Sequence, residues 1–313
     1  MELWSVFAAA VVMGSIAASV LLVIGLLRLI GGSPHAVPTG PAARARRHGS
    51  RTTAAMVGAG TVALVLTVWS TPLTLLDDAT DDLSNAVATA LIPTLVGLAV
   101  VGTCAVGETT WPRPVGDRRS ARLRRRGVSD LVPRWSVRWT LLVSAVLLGV
   151  AAGGAVTRGV VHGMVTRTWT TRGGGHVVSS AGPYVAGAEA GLVVVAVALV
   201  LAGAGWTLVV IARRPAIEDV DESLDLALRR RSAQVLLRLV QLVVGVTAGG
   251  VLLANGSALR SVGLGVVGVP LLVLAAVVGI ASLAVLVTPL EPLPDGEPAL
   301  TARLAPAPRG GKG

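Results

Sequence analysis

The chain has 313 residues, of which 53% are hydrophobic and 14% charged, with a mean hydropathy of +0.74. A soluble domain carries about a quarter charged residues, so this composition excludes a single soluble core and belongs to a chain solvated by lipid. The formal charge is +10 with Lys312 as the only lysine, and the single cysteine, Cys104, excludes an intramolecular disulfide or a cysteine-based metal cluster.

A membrane span needs about 20 mostly apolar residues at about 1.5 Å rise each. Seven runs meet that length, at residues 6–30, 53–76, 86–106, 139–161, 190–212, 233–253 and 262–287. The first follows Met1-Glu2-Leu3-Trp4 without the positive stretch that opens a secretory signal, so it is read as a retained span. The runs are continuous and much longer than the alternating segments of about ten residues that build a membrane β-barrel. The expected fold is therefore all-α, a polytopic transmembrane helical bundle over residues 1–288. The tail, 289–313, is rich in Pro and Gly and is expected to be a disordered cytoplasmic segment.

The first connection carries Arg44, Arg46, Arg47 and Arg51. The second is an acidic turn, Asp77-Asp78-Ala79-Thr80-Asp81-Asp82, without the spacing or terminal Glu of a calcium loop. The third, from Gly107 to Arg138, holds nine arginines. Its centre, Asp117 to Arg126, reads as a basic helix, and each Arg near an anionic leaflet contributes roughly 1 kcal/mol. Arg118, Arg119, Arg122, Arg124, Arg125 and Arg126 are thus candidates for contact with the anionic inner leaflet or with an acidic protein partner. Alternate connections hold 18 and 4 arginines, and the richer set is expected to stay in the cytoplasm. That puts the N-terminus outside and the C-terminus inside, which an odd number of spans satisfies. Trp4, Trp69, Trp111, Trp135, Trp139, Trp206 and Tyr184 fall near span ends and fit an interfacial aromatic belt, whereas Trp169 does not.

Within the spans polar chemistry is sparse. Arg158 and His162 close the fourth run, and Glu189 opens the fifth. Glu189 is read as an interfacial carboxylate, with a pairing to Arg158 across the hairpin as the alternative. The connection from Arg213 to Arg231 starts acidic and ends basic, as the helix dipole favours, and Asp225 and Arg229 are spaced i,i+4. It reads as a short amphipathic helix, either a coupling surface or the lead-in to the sixth span. Arg238 is close enough to the cytoplasmic end to snorkel, and Gln241 is the strongly polar side chain placed well inside a span, suited to an interhelical hydrogen bond. The Gly149/Gly153 and Gly245/Gly249 pairs have close-packing spacing, which 38 glycines make expected by chance. Gly263-Leu264-Gly265-Val266-Val267-Gly268 matches a dinucleotide fingerprint in letters alone, for no strand precedes it. Asn255-Gly256-Ser257 is a glycosylation sequon in letters alone.

Two connections carry a resemblance. Gly107-Glu108-Thr109-Thr110-Trp111-Pro112-Arg113-Pro114 with its Arg run resembles a loop of uncharacterised multispanning membrane proteins from high-GC Gram-positive bacteria. Arg213-Arg214-Pro215 with Leu226-Ala227-Leu228-Arg229-Arg230-Arg231-Ser232 resembles them too. The resemblance implies a bacterial plasma membrane source and no activity.

His35, His48, His162 and His176 are scattered, and no HExxH, P-loop, GxSxG or paired intramembrane carboxylate is present. The expectation is a non-enzymatic membrane component that works with a protein partner, such as the membrane part of a transport system. It would have no catalytic residue, no cofactor, no metal and no nucleic-acid partner. A self-contained secondary transporter or channel is the alternative, disfavoured by the lack of midplane charge. A membrane enzyme ranks last.

Overall fold

The computed structural model describes residues 41–75, 82–111, 127–156, 160–161, 164–171, 173–182, 184–216 and 222–290. The predicted first span, the Arg118–Arg126 cluster, Arg158 and the tail beyond Leu290 lie outside them. The chain runs α1 (Pro41–Leu75), α2 (Asp82–Thr109), a single 3-10 turn (Val128–Asp130), α3 (Arg134–Val156), β1 (Val160–Val161), β2 (Met164–Thr170), β3 (His176–Ala181), α4 (Gly187–Arg213), α5 (Glu222–Ser261) and α6 (Gly265–Val287). Five of these helices, α2 to α6, are long and apolar enough to cross a membrane. The protein is a multi-pass membrane protein.

α5 stands at the centre. Its apolar stretch is 78% buried inside the protein, against 28–39% for the other four, and it contacts α1, α2, α3, α4 and α6. Val235, Leu236, Val240, Val244, Ala248 and Leu252 form its core face, met by Val100 of α2, Leu147 of α3, Val197 and Val200 of α4 and Val278 of α6. The surrounding helices turn Leu141, Leu142, Leu192, Leu199, Val273 and Ile280 outward. That arrangement suits lipid, where outward apolar side chains carry no penalty.

Helix association in lipid depends on close packing and polar contacts more than on apolar burial, and glycine supplies the close packing. A Cβ on Gly245 would strike Ser282, and one on Gly256 would lie 2.9 Å from the Gly268 carbonyl oxygen. Gly268, Ala275 and Ser282 of α6 recur every seven residues and keep one face against α5. So the Gly245/Gly249 pair is a packing seam, whereas Gly149 and Gly153 meet nothing. The α5–α6 turn closes with Leu264 N–H donating to Leu259 C=O at 2.8 Å and Gly263 N–H to Arg260 C=O at 3.1 Å. This is a Schellman stop, and Gly263 takes its left-handed position at φ +78°. The GxGxxG letters are thus a helix stop and a packing contact.

Two findings differ from the sequence reading, and one decides between its alternatives. α3 ends at Val156, and residues 160–181 form a three-stranded antiparallel sheet, β1-β2-β3, where no strand was expected. Val165 is buried against Tyr184, Ala258 and Val262, and Arg167 Nη1 donates to Gly263 C=O at 3.0 Å. The hairpin therefore sits on the α5–α6 turn, and Arg167 places a cation at the C-terminal end of α5, where the dipole favours one. Trp169, which no aromatic belt explained, lies on β2 opposite Val177, with the Arg167 guanidinium 6.0 Å from its ring centre. Second, of the two alternatives for the amphipathic segment the lead-in is the one found: from Glu222 it is the start of α5 itself, one continuous helix of 40 residues. Its Leu224 and Leu228 are covered by the chain's own Ala45 and Trp111. Third, Trp111 and Tyr184 are buried, not interfacial, while Trp135 and Trp206 are exposed as a belt requires.

Candidate functional site

α4 stops at Arg213 because Arg214 adopts φ −52°, ψ 139° ahead of Pro215. A residue before proline is driven out of the helical region. This break turns the Arg214 side chain into a charged cluster at one end of the bundle. Its Nη1 lies 3.2 Å from Glu108 Oε2, with both side chains 1% exposed. Its Nη2 is 3.7 Å from Asp225 Oδ1. Its guanidinium carbon stands 3.7 Å above the Trp111 ring centre, a cation–π contact. Arg229 Nε donates to Asp225 Oδ2 at 2.9 Å, and its Nη1 donates to the carbonyls of Ile211 at 3.3 Å and Ala212 at 3.1 Å. On α1, His48 Nε2 is 2.9 Å from Gly107 C=O, so that nitrogen carries the proton. The His48 ring meets Trp111 edge to face at 4.7 Å.

The arrangement follows from charge and dipole together. Two arginines face two carboxylates, so the desolvated cluster is neutral overall, a condition for burying charge. Arg229 closes the carbonyl end of α4, and Asp225 lies in the first turn of α5, where negative charge is favoured. Glu108 is the member placed against its dipole, in the last turn of α2, and Arg214 offsets that cost. Burial pushes the Arg214 guanidinium below its ordinary range, and the Glu108 carboxylate opposes the shift. The cluster joins α1, α2, α4 and α5. Its charged groups are spent on one another and on the carbonyls of Ile211 and Ala212, so it clamps these helices together.

The clamp holds one foot of the Arg-rich connection, since Trp111 directly precedes residues 112–126. The other foot is held as well. Arg230 Nε donates to Asp130 C=O at 3.1 Å, and Leu131 is 2% exposed within the core. The connection between the feet carries seven arginines and one aspartate.

A second polar group lies between α3, α5 and α6. Gln241 Nε2 is 2.7 Å from Ser136 C=O, 2.8 Å from Ser136 Oγ and 3.0 Å from Thr140 Oγ1. One turn earlier, Arg238 does not snorkel but donates to Thr288 C=O at 2.6 Å and Pro289 C=O at 3.0 Å, closing the end of α6. Glu189 lies in the first turn of α4 and is 4% exposed. The Ala186 N–H donates to it, and Oε2 has no partner among the described residues. Asn255 is 1% exposed. It accepts from Val185 N–H at 2.8 Å and donates to Val185 C=O at 3.2 Å, which leaves no amide for a glycan.

Of the predicted site residues, the structure thus describes Glu189 and Gln241 and does not bring them together. The sequence reading took Asp225 and Arg229 as a helix pair and passed over Glu108, Trp111, Arg214 and His48 as a set. One signal was available: the two connections singled out by resemblance, around Glu108-Trp111 and Arg214-Arg229, are the two halves of the cluster. The chain matches no known protein family, no curated protein sequence and no solved structure.

Proposed function

We propose that this chain is a non-enzymatic component of a bacterial plasma-membrane assembly, which presents a basic cytosolic loop to an acidic protein partner. The observation that carries the reading is the double anchoring of residues 112–126. Trp111 is clamped by Arg214 and His48 at one foot, and Asp130 is tied to Arg230 at the other. Fixed feet lower the ordering cost that a charged loop meets on binding. The reading includes a seven-span topology with the N-terminus outside, so that this loop, the clamp and the C-terminus face the cytoplasm.

The test is native mass spectrometry of gently solubilised protein from its own membrane. The expected result is an assembly larger than the chain, which falls to the bare chain when Arg118, Arg119, Arg122, Arg124, Arg125 and Arg126 are changed to Gln. An unchanged assembly in that variant overturns the loop's role. Solute flux in liposomes that hold only this chain would overturn the reading in favour of a self-contained transporter.

A further inference from the structure

A cavity of about 180 Å³ lies where the start of α3, the middle of α5 and the end of α6 meet. At about 30 Å³ per water in the liquid it has room for roughly six. Ser136, Gln234, Arg238, Thr288 and Pro289 line it, and Trp135 stands at its edge, 52% exposed. Two of the lining side chains are deeply buried, Arg238 at 8% exposed and Gln234 at 9%. They stand one turn apart on α5. The Gln234 side chain makes no hydrogen bond among the described residues, and the residue lines the cavity. Arg238 uses two of its five N–H groups on the Thr288 and Pro289 carbonyls just past α6, and no carboxylate among the described residues neutralises it.

The contrast with the clamp is the argument. There, two buried arginines meet two buried carboxylates. Here, among the described residues, a largely buried arginine has carbonyl dipoles on one side and, on the other, a cavity of mixed lining with apolar Val132, Pro133 and Trp135 beside the polar groups. A largely buried cation beside an open cavity gains from an anion placed there. The cavity lies level with the first turn of α3 and the last turn of α6, so it is at the depth of lipid headgroups, where an exposed Trp135 also belongs. We propose that this cavity binds a phosphate monoanion, carried there by an anionic phospholipid, with Arg238 as the charged ligand and the Gln234 amide and Ser136 hydroxyl as further hydrogen-bond groups. Arginine gives charge-assisted hydrogen bonds to phosphate oxygens, and pockets of this kind between spans suit lipid headgroups.

The experiment uses the full chain in a neutral detergent at 1 M salt. There the Debye length is about 3 Å, and attraction to the surface arginines is screened. Phosphatidylglycerol, phosphatidylcholine and inorganic phosphate are added separately. Bound molecules are counted by native mass spectrometry, with the thermal midpoint as a second readout. Phosphatidylglycerol should be retained and should raise the midpoint, while phosphatidylcholine and inorganic phosphate should do neither. Gln234→Leu, which removes the amide and leaves the cation in place, should lower phosphatidylglycerol retention at least tenfold, as should Arg238→Gln. Should Arg238→Gln fail to fold, Gln234→Leu decides. Protection by inorganic phosphate equal to that by phosphatidylglycerol would overturn the lipid as the source. Equal retention of phosphatidylglycerol by wild type and Gln234→Leu would overturn the site.

Discussion

Removing one member of the Glu108–Arg214 pair strands the other away from water, which costs roughly 3–5 kcal/mol. The two losses are unequal. Arg214→Gln leaves Glu108 and Asp225 facing Arg229 alone, whereas Glu108→Gln leaves Arg214 its contact with Asp225. Arg214→Gln should therefore be the more damaging, and the double variant should recover part of the loss. Chemical denaturation in detergent gives the cycle; a coupling below about 0.5 kcal/mol would show that the pair is not a buried unit. Arg214→Lys should not rescue, because an ammonium cannot both stack on Trp111 and fork toward two carboxylates. Some of this was legible in the sequence. The Asp225–Arg229 spacing and the isolated Gln241 stand out because their neighbours are apolar or their partners are one turn away. Glu108 and Arg214 are 106 residues apart, and each sits in a connection already full of charge, so nothing local marks them as partners.

Elements were legible to the degree that one physical rule decides them. A continuous apolar run has no soluble alternative, which is why the runs at 86–106 and 190–212 fall within α2 and α4 and the run at 262–287 covers α6 and the turn before it. The sheet was hidden because β2 buries only Val165 firmly, and its other residues, from Arg167 to Thr170, are exposed. Such a strand shows little alternation of apolar and polar residues. The glycine seams were hidden for a different reason: Gly149/Gly153 and Gly245/Gly249 have the same spacing, and only the position of α6 tells them apart. Two glycines of α5 test the seam. Gly256→Val adds a side chain whose Cβ meets the backbone of Gly268 and Leu272 at 2.9 and 3.1 Å, so α6 must move; the expected cost is about 1–3 kcal/mol. Gly250→Ala meets nothing within 4 Å and should be neutral or stabilising by up to about 1 kcal/mol. The thermal midpoints of the two variants check this. Equal shifts would mean that the seam contributes no specific packing.

For the whole molecule, charge asymmetry is the strongest global signal: 18 arginines on one set of connections against 4 on the other. Reporter fusions after Ser84 and after Lys312 should read external and cytoplasmic respectively, and the same reading at both sites would refute the seven-span arrangement. The central position of α5 bears on how such a molecule is made. Synthesis delivers residues 222–261 after α1, α2, α3 and α4 have left the ribosome. Until then α2 and α3 pack against α4 around a missing axis. The inner faces of Val100, Leu147 and Val200 must meanwhile be wetted by acyl chains, which α5 displaces when it inserts. Assembly therefore brings in its central helix late, with α6 alone of the described helices still to follow. Asp225 and Arg229 arrive on the same late helix as a second neutral pair, so Arg214 gains its second carboxylate only then. A nascent chain halted before residue 222 holds Glu108 and Arg214 without their second pair, with Arg214 facing one carboxylate where the finished protein gives it two.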